Sequence, residues 1–340
     1  MNPQSLVYLA LANFCFAAQY LIDASCRSDD ALFNGLVGAV QEGVDLADNA
    51  LSVMTDHADD QWVQKMAKYV LGTDGYDDKF ARARDTFGLV KGYDRDPTML
   101  QQDSDGWRRI RGNSDVEIYC GVMRFNRLSP DSNVWVDGST GKRISSNDKK
   151  SLDECYDTNF VLGSGVSAPK AVTYTSNVVD LKGWLAAKAA AEAAHDNTYI
   201  PKSDFSKPRP SVPNTMDICT WFTTRAAQDG WPIINAERVE LCKTDDFRNN
   251  LKFDLTPIDG LKTIGSTILH ELTHTNQGGL LVDTPKELRP PGVTSCYNWK
   301  CVGQLKDERN ADSIAMLGIG MKLWSLGHYA DEDGIIHAIP

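Results

Sequence analysis

The sequence predicts an α+β fold that is mainly helical and contains a small antiparallel sheet. Three features indicate this class. Residues 30–92 carry apolar side chains at helical spacing, short β-prone runs begin near residue 115, and the last third returns to helical patterns. Strands and helices that occupy separate stretches of a chain are typical of α+β proteins.

Helices are predicted first and strands second. Residues 30–70 place apolar residues three and four positions apart, and another helical stretch covers residues 78–92. The run VEIYCGVMRF then has a β-prone composition, and NVWVDGSTGKRI carries a hairpin signal at Asp137 and Gly138. The chain therefore passes from helices into a small sheet.

The middle of the chain combines a helix with a loop. Residues 181–195 are rich in strong helix formers, and residues 197–215 contain four prolines, which predicts a loop. The segments DICTWF and ERVELC, which follow this loop, again have a β-prone composition. We therefore interpret the loop as an insertion within a single domain that covers residues 19–340.

Two helices are predicted in the last third. In DGLKTIGSTILHELTHT, His270 and His274 share one helical face. The neighbouring face is an apolar stripe of Leu261, Ile264, Ile268 and Leu272. A final helix over residues 307–326 is apolar nearly all round, which predicts that it is buried.

Charge and hydropathy exclude some classes of partner. The 340 residues include 35 basic and 46 acidic side chains, so a net charge of −11 argues against nucleic acid. The apolar run 6–18 is too short to cross a membrane and ends in small residues, which predicts a signal peptide at residues 1–18 and a secreted, extracellular protein. A buried first helix is the alternative. No later segment is apolar enough to predict a membrane span.

Cysteine usage agrees with an oxidising compartment. Of eight cysteines, Cys15 lies in the predicted signal peptide, and the remaining seven are an odd number, so at least one is free or pairs between chains. Their wide spacing, without a C-x-x-C pair, predicts disulfides rather than a zinc ribbon.

Residues 270–274 spell H-E-x-x-H, a pattern that roughly one chain in a hundred of this length contains by chance. On a helix, His270 and His274 present two imidazoles one turn apart, which suits Zn²⁺. Glu271 lies beside such a metal and can act as general base and then general acid. The pattern therefore predicts zinc as the cofactor, with a third protein ligand elsewhere.

Several residues are candidates for the third zinc ligand. The carboxylates downstream of the motif are Asp283, Glu287, Asp307, Glu308 and Asp312. Glu308 and Asp312, four residues apart on a predicted helix, resemble the gluzincin arrangement, in which the glutamate binds zinc. Asp312 is alternatively a carboxylate that accepts the free N–H of a zinc-binding histidine, or a helix-start residue.

The combination of HELTH, Tyr297, Cys301 and the NADS run at 310–313 resembles the aspzincin metallopeptidases, the group of fungal deuterolysins and peptidyl-Lys endopeptidases. This resemblance implies a zincin-like fold with an H-E-x-x-H active-site helix and a third ligand nine residues after the second histidine, which is Asp283 here. It also implies that Tyr297 stabilises the transition state.

The chain departs from the family in two places. The sequence GLLVD replaces the family's G-T-x-D, and a proline-rich loop separates Asp283 from Tyr297. The family's simplest members are shorter, so the resemblance makes residues 125–215 largely an insertion.

Together these features predict a secreted zinc-dependent endopeptidase that acts on proteins or peptides. His270, His274 and Asp283 would bind zinc, and Glu271 and Tyr297 would be catalytic. One alternative is a catalytically weakened protein of the same fold that binds zinc or a surface. Another is a gluzincin-type peptidase that uses Glu308. The sequence makes no prediction of oligomeric state or cleavage specificity.

Overall fold

The structure is a computed structural model, and it describes most of the chain. The described residues are 17–27, 29–100, 105–129, 132–141, 143–157, 170–174, 212–252, 254–284 and 296–340. The helix predicted at residues 181–195, nearly all of the predicted proline-rich loop and most of the predicted signal peptide lie outside these residues.

Helices and strands are both well represented, so the structure is mixed and consistent with the α+β class. The helices are α1 Asp30–Asp56, α2 Gln61–Leu71, α3 Tyr76–Lys91, α4 Asp105–Ile110, α5 Ser146–Cys155, α6 Thr220–Gln228, α7 Ala236–Lys243, α8 Asp245–Asn250, α9 Ile264–Thr273, α10 Trp299–Leu305 and α11 Ala311–Ser325. The strands are β1 Tyr20–Ile22, β2 Val116–Tyr119, β3 Phe125–Arg127, β4 Val134–Asp137, β5 Arg143–Ser145, β6 Ala171–Tyr174, β7 Asn214–Ile218, β8 His328–Ala330 and β9 Ile336–Ala338.

The predicted N-terminal helices are confirmed, and side-chain caps explain where two of them begin. Asp29 accepts a hydrogen bond from the Ala31 amide at the start of α1. Asp60 accepts from the amides of Trp62 and Val63 at the start of α2. Such caps satisfy amides that have no partner inside the helix, which makes these boundaries local properties of the sequence.

The principal sheet has the strand order β1-β2-β7-β6. Its first three strands are parallel, and only β6 is antiparallel to its neighbour. The prediction of an antiparallel sheet is therefore wrong for this sheet. The physical reason is that helices α1 to α4 lie between β1 and β2, and a crossover of this length lets the second strand run in the same direction as the first. The prediction is right for the three-stranded β3-β4-β5 sheet, which contains the predicted hairpin, and for β8-β9.

The segment ERVELC, read from the sequence as β-prone, is helical. It lies in α7, where the Asn235 side chain accepts a hydrogen bond from the Arg238 amide and starts the helix. Val239 and Cys242, three positions apart, are the buried residues of this helix. In DICTWF only Asp217 and Ile218 belong to a strand, because α6 begins at Thr220.

The core lies between the helices and one face of the principal sheet. The final helix α11 packs against α1, α2 and α9, and it is buried nearly all round, as predicted. It begins at Ala311 rather than at residue 307. None of the helices in the described ranges is both long and apolar enough to cross a membrane.

Three disulfides are present in the described residues, and one cysteine there is free. The pairs are Cys26–Cys120, Cys155–Cys219 and Cys296–Cys301. The free thiol is that of Cys242, which is buried, and burial raises its pKa to about 11. The predictions of disulfides and of an unpaired cysteine are confirmed.

A buried ion pair lies on β2. Glu117 and Arg111 form it, and the carboxylate of Glu117 also accepts hydrogen bonds from Trp107 (2.8 Å), Tyr119 (2.5 Å) and Ser139 (2.6 Å). Because Ser139 belongs to the β4–β5 hairpin connection, this network joins the hairpin to the principal sheet.

Candidate metal centre

Helix α9 carries His270 and Glu271, the first two residues of the H-E-x-x-H pattern. Thr263 caps the helix by accepting from the Ser266 amide, and the Ser266 hydroxyl accepts from the Thr263 amide in return. The predicted apolar stripe of Leu261, Ile264, Ile268 and Leu272 is buried. His270 and Glu271 therefore lie on the last turn of a well-anchored helix, and His274 is its C-terminal cap.

Three potential ligand atoms converge beside this last turn. The Nε2 atoms of His270 and His274 are 3.1 Å apart. Oδ1 of Asp283 lies 3.3 Å from Nε2 of His270 and 3.6 Å from Nε2 of His274. Ligands about 2.0 to 2.2 Å from a tetrahedral zinc are about 3.3 to 3.6 Å from each other. The two nitrogen-to-oxygen distances fall in this range, and the distance between the two nitrogens is slightly shorter. The three atoms thus fit zinc in chemical type and come close to the spacing it needs.

Backbone hydrogen bonds place Asp283 beside the histidines. The Leu281 amide donates to the Thr273 carbonyl (2.9 Å) at the end of α9. The Val282 amide donates to the Arg309 carbonyl (3.2 Å), just before α11. The turn between Thr273 and Leu281 requires glycine at position 278, because a Cβ there would lie 1.8 Å from the Leu272 carbonyl oxygen. The segment before Asp283 is therefore fixed at both neighbouring helices.

Hydrogen-bond partners of the outer ring nitrogens favour metal binding by Nε2. Nδ1 of His274 lies 2.8 Å from the Leu281 carbonyl oxygen. A carbonyl only accepts, so Nδ1 carries the proton and Nε2 offers a lone pair. Nδ1 of His270 faces Oδ1 of Asp312 at 3.4 Å, and both side chains are buried. Asp312 thus occupies the place of a carboxylate that orients a metal-binding histidine.

The contact between His270 and Asp312 leaves one buried polar atom of each side chain without a hydrogen bond to the described part of the chain. Among the described residues, neither Nδ1 of His270 nor Oδ2 of Asp312 has a hydrogen-bond partner. The Nδ1–Oδ1 separation is slightly long for a hydrogen bond. A carboxylate that faces the outer nitrogen of an imidazole is the arrangement expected around a metal-binding histidine.

The electrostatic environment of His270 suits a cation. Burial lowers the pKa of His270, but the carboxylates of Asp312, Asp283 and Glu271 outweigh that effect and raise this pKa well above its usual value. Three carboxylates around one imidazole stabilise positive charge at this point, whether a proton or a metal supplies it.

Glu271 adds a carboxylate beside the ligand atoms. Its side chain is buried, and Oε1 lies 3.8 Å from Nε2 of His270. This position is adjacent to the point where the two histidines and Asp283 converge. A carboxylate there can exchange a proton with a water molecule at the centre.

Tyr297 also lies near the histidines. Its ring centroid is 6.2 Å from that of His270, with an interplanar angle of 61°, and 41% of the residue is exposed. The residues between Asp283 and Tyr297 are mostly outside the described part of the chain, as is Glu287. The structure nevertheless brings Tyr297 to the edge of the site.

Glu308 lies apart from these atoms. Its carboxylate accepts a hydrogen bond from Nε of Arg82 (2.8 Å), and only 7% of its side chain is exposed. In the described ranges, the groups of possible metal ligands are His270, Glu271 and His274, and His270, Asp283 and Asp312. Neither group contains Glu308. Asp307 instead pairs with Arg309.

One component of the site was missed by sequence reasoning. The Leu281 carbonyl orients His274, but a main-chain group leaves no signature in residue types. The only available signal was the Gly278-Gly279 pair, which indicates a turn that sends the chain back toward α9.

Comparisons with protein-family models, with curated proteins and with solved structures gave no match for this chain. The interpretation of the site therefore depends on the geometry and chemistry of its own side chains.

Proposed function

We propose that this protein is a zinc-dependent endopeptidase that hydrolyses peptide bonds in proteins or peptides. The observation that carries the proposal is the convergence of three ligand atoms from His270, His274 and Asp283, with the carboxylate of Glu271 beside them. Two imidazoles and one carboxylate are a donor set that catalytic zinc sites use.

His270, His274 and Asp283 would hold the zinc ion. When bound, zinc supplies a Lewis acid that makes water more acidic and withdraws electron density from a peptide carbonyl. The Leu281 carbonyl orients the His274 imidazole through its Nδ1 atom, and Asp312 faces Nδ1 of His270 at 3.4 Å.

Glu271 moves the proton during hydrolysis. Its carboxylate accepts a proton from the attacking water as the water oxygen bonds to the peptide carbonyl carbon. The same carboxyl group then donates that proton to the leaving nitrogen as the C–N bond breaks. Tyr297, at the edge of the site, donates a hydrogen bond from its hydroxyl to the oxyanion that develops on the carbonyl oxygen.

Export and a zincin-like fold of the aspzincin type are part of the same proposal. Three disulfides in the described residues support an oxidising compartment, because cytosolic proteins rarely keep such bonds. The position of Asp283, nine residues after His274 and 3.6 Å from its Nε2, supports the aspzincin type over the gluzincin type.

The Glu271→Gln variant tests the function. It keeps the size of the side chain and removes the base, so we expect zinc to stay stoichiometric while hydrolysis of denatured casein falls by about 10²- to 10⁴-fold. Glu308→Gln is the matched control, since it also alters a buried glutamate and should retain both zinc and activity.

A Glu271→Gln protein that cleaves casein at the wild-type rate would refute the proposed role. Wild-type protein that binds one zinc but hydrolyses no peptide in a broad library would instead support the non-catalytic zinc-binding alternative.

A further inference from the structure

The segment Cys296–Cys301 is a short loop closed by its own disulfide, with a sequence separation of 5. Both cysteines are buried, with 3% and 4% of the residues exposed. Tyr297 follows the first cysteine directly, yet it is 41% exposed and lies beside His270. A buried crosslink therefore holds a tyrosine that projects toward the candidate metal centre.

The C-terminal side of Tyr297 is strongly anchored. The Asn298 side chain accepts a hydrogen bond from the Cys301 amide (2.9 Å) and caps α10. The Trp299 amide donates to Oδ1 of Asp259 (2.9 Å), and its indole donates to the Asp331 carbonyl (2.9 Å). These contacts fix the backbone from Asn298 onward.

The disulfide anchors the N-terminal side of Tyr297. Residues 285–295 are outside the described part of the chain. The covalent bond to Cys301 gives Cys296 a second connection to α10, besides the backbone through Tyr297 and Asn298. Fixing both neighbours of Tyr297 removes most of its backbone freedom before any substrate binds.

We infer that the Cys296–Cys301 disulfide is a positioning device for Tyr297. It holds the phenol beside His270, so that the hydroxyl meets the developing oxyanion without a further ordering step. The inference rests on the proposed function, and the disulfide itself neither forms nor breaks during hydrolysis. Cys296 and Cys301 are therefore positioning residues, and Tyr297 is the group that touches substrate.

A double-mutant cycle tests this link. The disulfide is removed by Cys296→Ala with Cys301→Ala, which keeps the buried positions apolar, in the wild-type and in the Tyr297→Phe background. We expect kcat to fall about 10- to 100-fold in the wild-type background, with KM changed less than about twofold. In the Tyr297→Phe background the same pair of changes should have almost no further effect.

An equal loss of kcat in both backgrounds would overturn the inference, because a purely structural disulfide does not act through one hydroxyl. The control is removal of the Cys155–Cys219 disulfide by the same kind of substitution. Any effect of that change should be equal in the two backgrounds.

A second measurement needs neither zinc nor activity. Amide hydrogen exchange in zinc-free protein should become faster at Tyr297 and Asn298 when the Cys296–Cys301 disulfide is removed, while exchange in α1 stays the same. Unchanged exchange at these two amides would overturn the positioning role. If the wild-type protein hydrolyses no peptide, the proposed function fails, and the exchange result still decides whether the disulfide fixes Tyr297.

Discussion

Asp283 differs from the two histidines in its exposure to solvent. Its side chain is 43% exposed, whereas those of His270 and His274 are 9% and 15% exposed. Removal of this carboxylate takes one partner from His270 but leaves Asp312 and Glu271 facing that buried imidazole. Metal binding and folding can therefore be separated experimentally at Asp283 more cleanly than at either histidine.

The Asp283→Asn variant should lose zinc affinity and keep its fold. Loss of a residue that merely orients a ligand costs about 10- to 100-fold in metal affinity, so loss of a direct ligand should cost more than about 100-fold. Without metal, the free energy of unfolding should fall by no more than about 1 kcal/mol, the contribution of a partly exposed ion pair. Chelator competition measures the first quantity and urea unfolding in EDTA the second.

Glu308→Gln serves as the comparison. It should leave zinc affinity unchanged, since Glu308 pairs with Arg82 away from the histidines. If Glu308→Gln loses zinc and Asp283→Asn retains it, Glu308 is the third ligand. That result would favour the gluzincin hypothesis.

The predictability of the site from sequence follows from how local each contact is. His270 and His274 are one helical turn apart, so their proximity is fixed by helix geometry alone. Asp283 was placed by its spacing in a family resemblance, and the structure brings it to both histidines. The Tyr297 ring lies 6.2 Å from that of His270 because of tertiary packing around Trp299. Residue spacing along the chain does not predict such a contact.

At the scale of elements, the crossing of α1 and α9 sets the position of the metal centre. A Cβ on Gly43 of α1 would lie 3.0 Å from the Gly265 carbonyl oxygen and 3.1 Å from the Leu269 amide nitrogen. These neighbours are backbone atoms, which cannot rotate away. The two helices therefore approach closely at a point one residue before His270.

Gly43→Ala should separate these helices and destabilise the protein. Insertion of a methyl group into a tight contact costs about 1–3 kcal/mol in unfolding free energy. Gly38→Ala, on the same helix, is the control: a Cβ there meets no atom within 4 Å, so it should stabilise by about 0.5–1 kcal/mol. Urea unfolding of the two variants measures both effects, and a Gly43→Ala protein as stable as Gly38→Ala would show that the helices adjust freely.

Element types were predictable where the pattern is long and uncertain where it is short. The periodicity over residues 30–70 predicted α1 and α2, because many turns repeat it. ERVELC is too short for the two-residue hydrophobic period of a strand to be distinguished from the 3.6-residue period of a helix. The cap that Asn235 provides favours the helix. Strand direction is not local at all, because four helices, α1 to α4, lie between β1 and its partner β2.

At the scale of the whole molecule, the buried carboxylate of Glu117 makes stability depend on pH. Burial raises the pKa of Glu117, but Arg111 and the hydrogen bonds from Ser139, Tyr119 and Trp107 outweigh burial and lower it to about 2. A pKa lowered in the folded state means that this group stabilises the protein above its ordinary pKa of about 4.3. That stabilisation is lost as pH falls from there toward 2.

Glu117→Gln should remove this acid dependence and also reduce stability near neutral pH. The substitution leaves the buried Arg111 without its charged partner, which costs about 3–5 kcal/mol. Urea unfolding between pH 7 and pH 2 should therefore show a shallower decline for the variant than for the wild type. Parallel declines would show that Glu117 does not contribute to acid sensitivity.

The parallel pairing of β1 with β2 has a consequence for synthesis on the ribosome. Tyr20 pairs with Val116, and Cys26 bonds to Cys120 across 94 residues. At about 5–20 residues per second, translation of that interval takes about 5–20 s. During this time Cys26 cannot form its native disulfide, because Cys120 has not yet been synthesised. We therefore expect the recovery of correctly paired recombinant protein to rise when a disulfide isomerase is co-expressed.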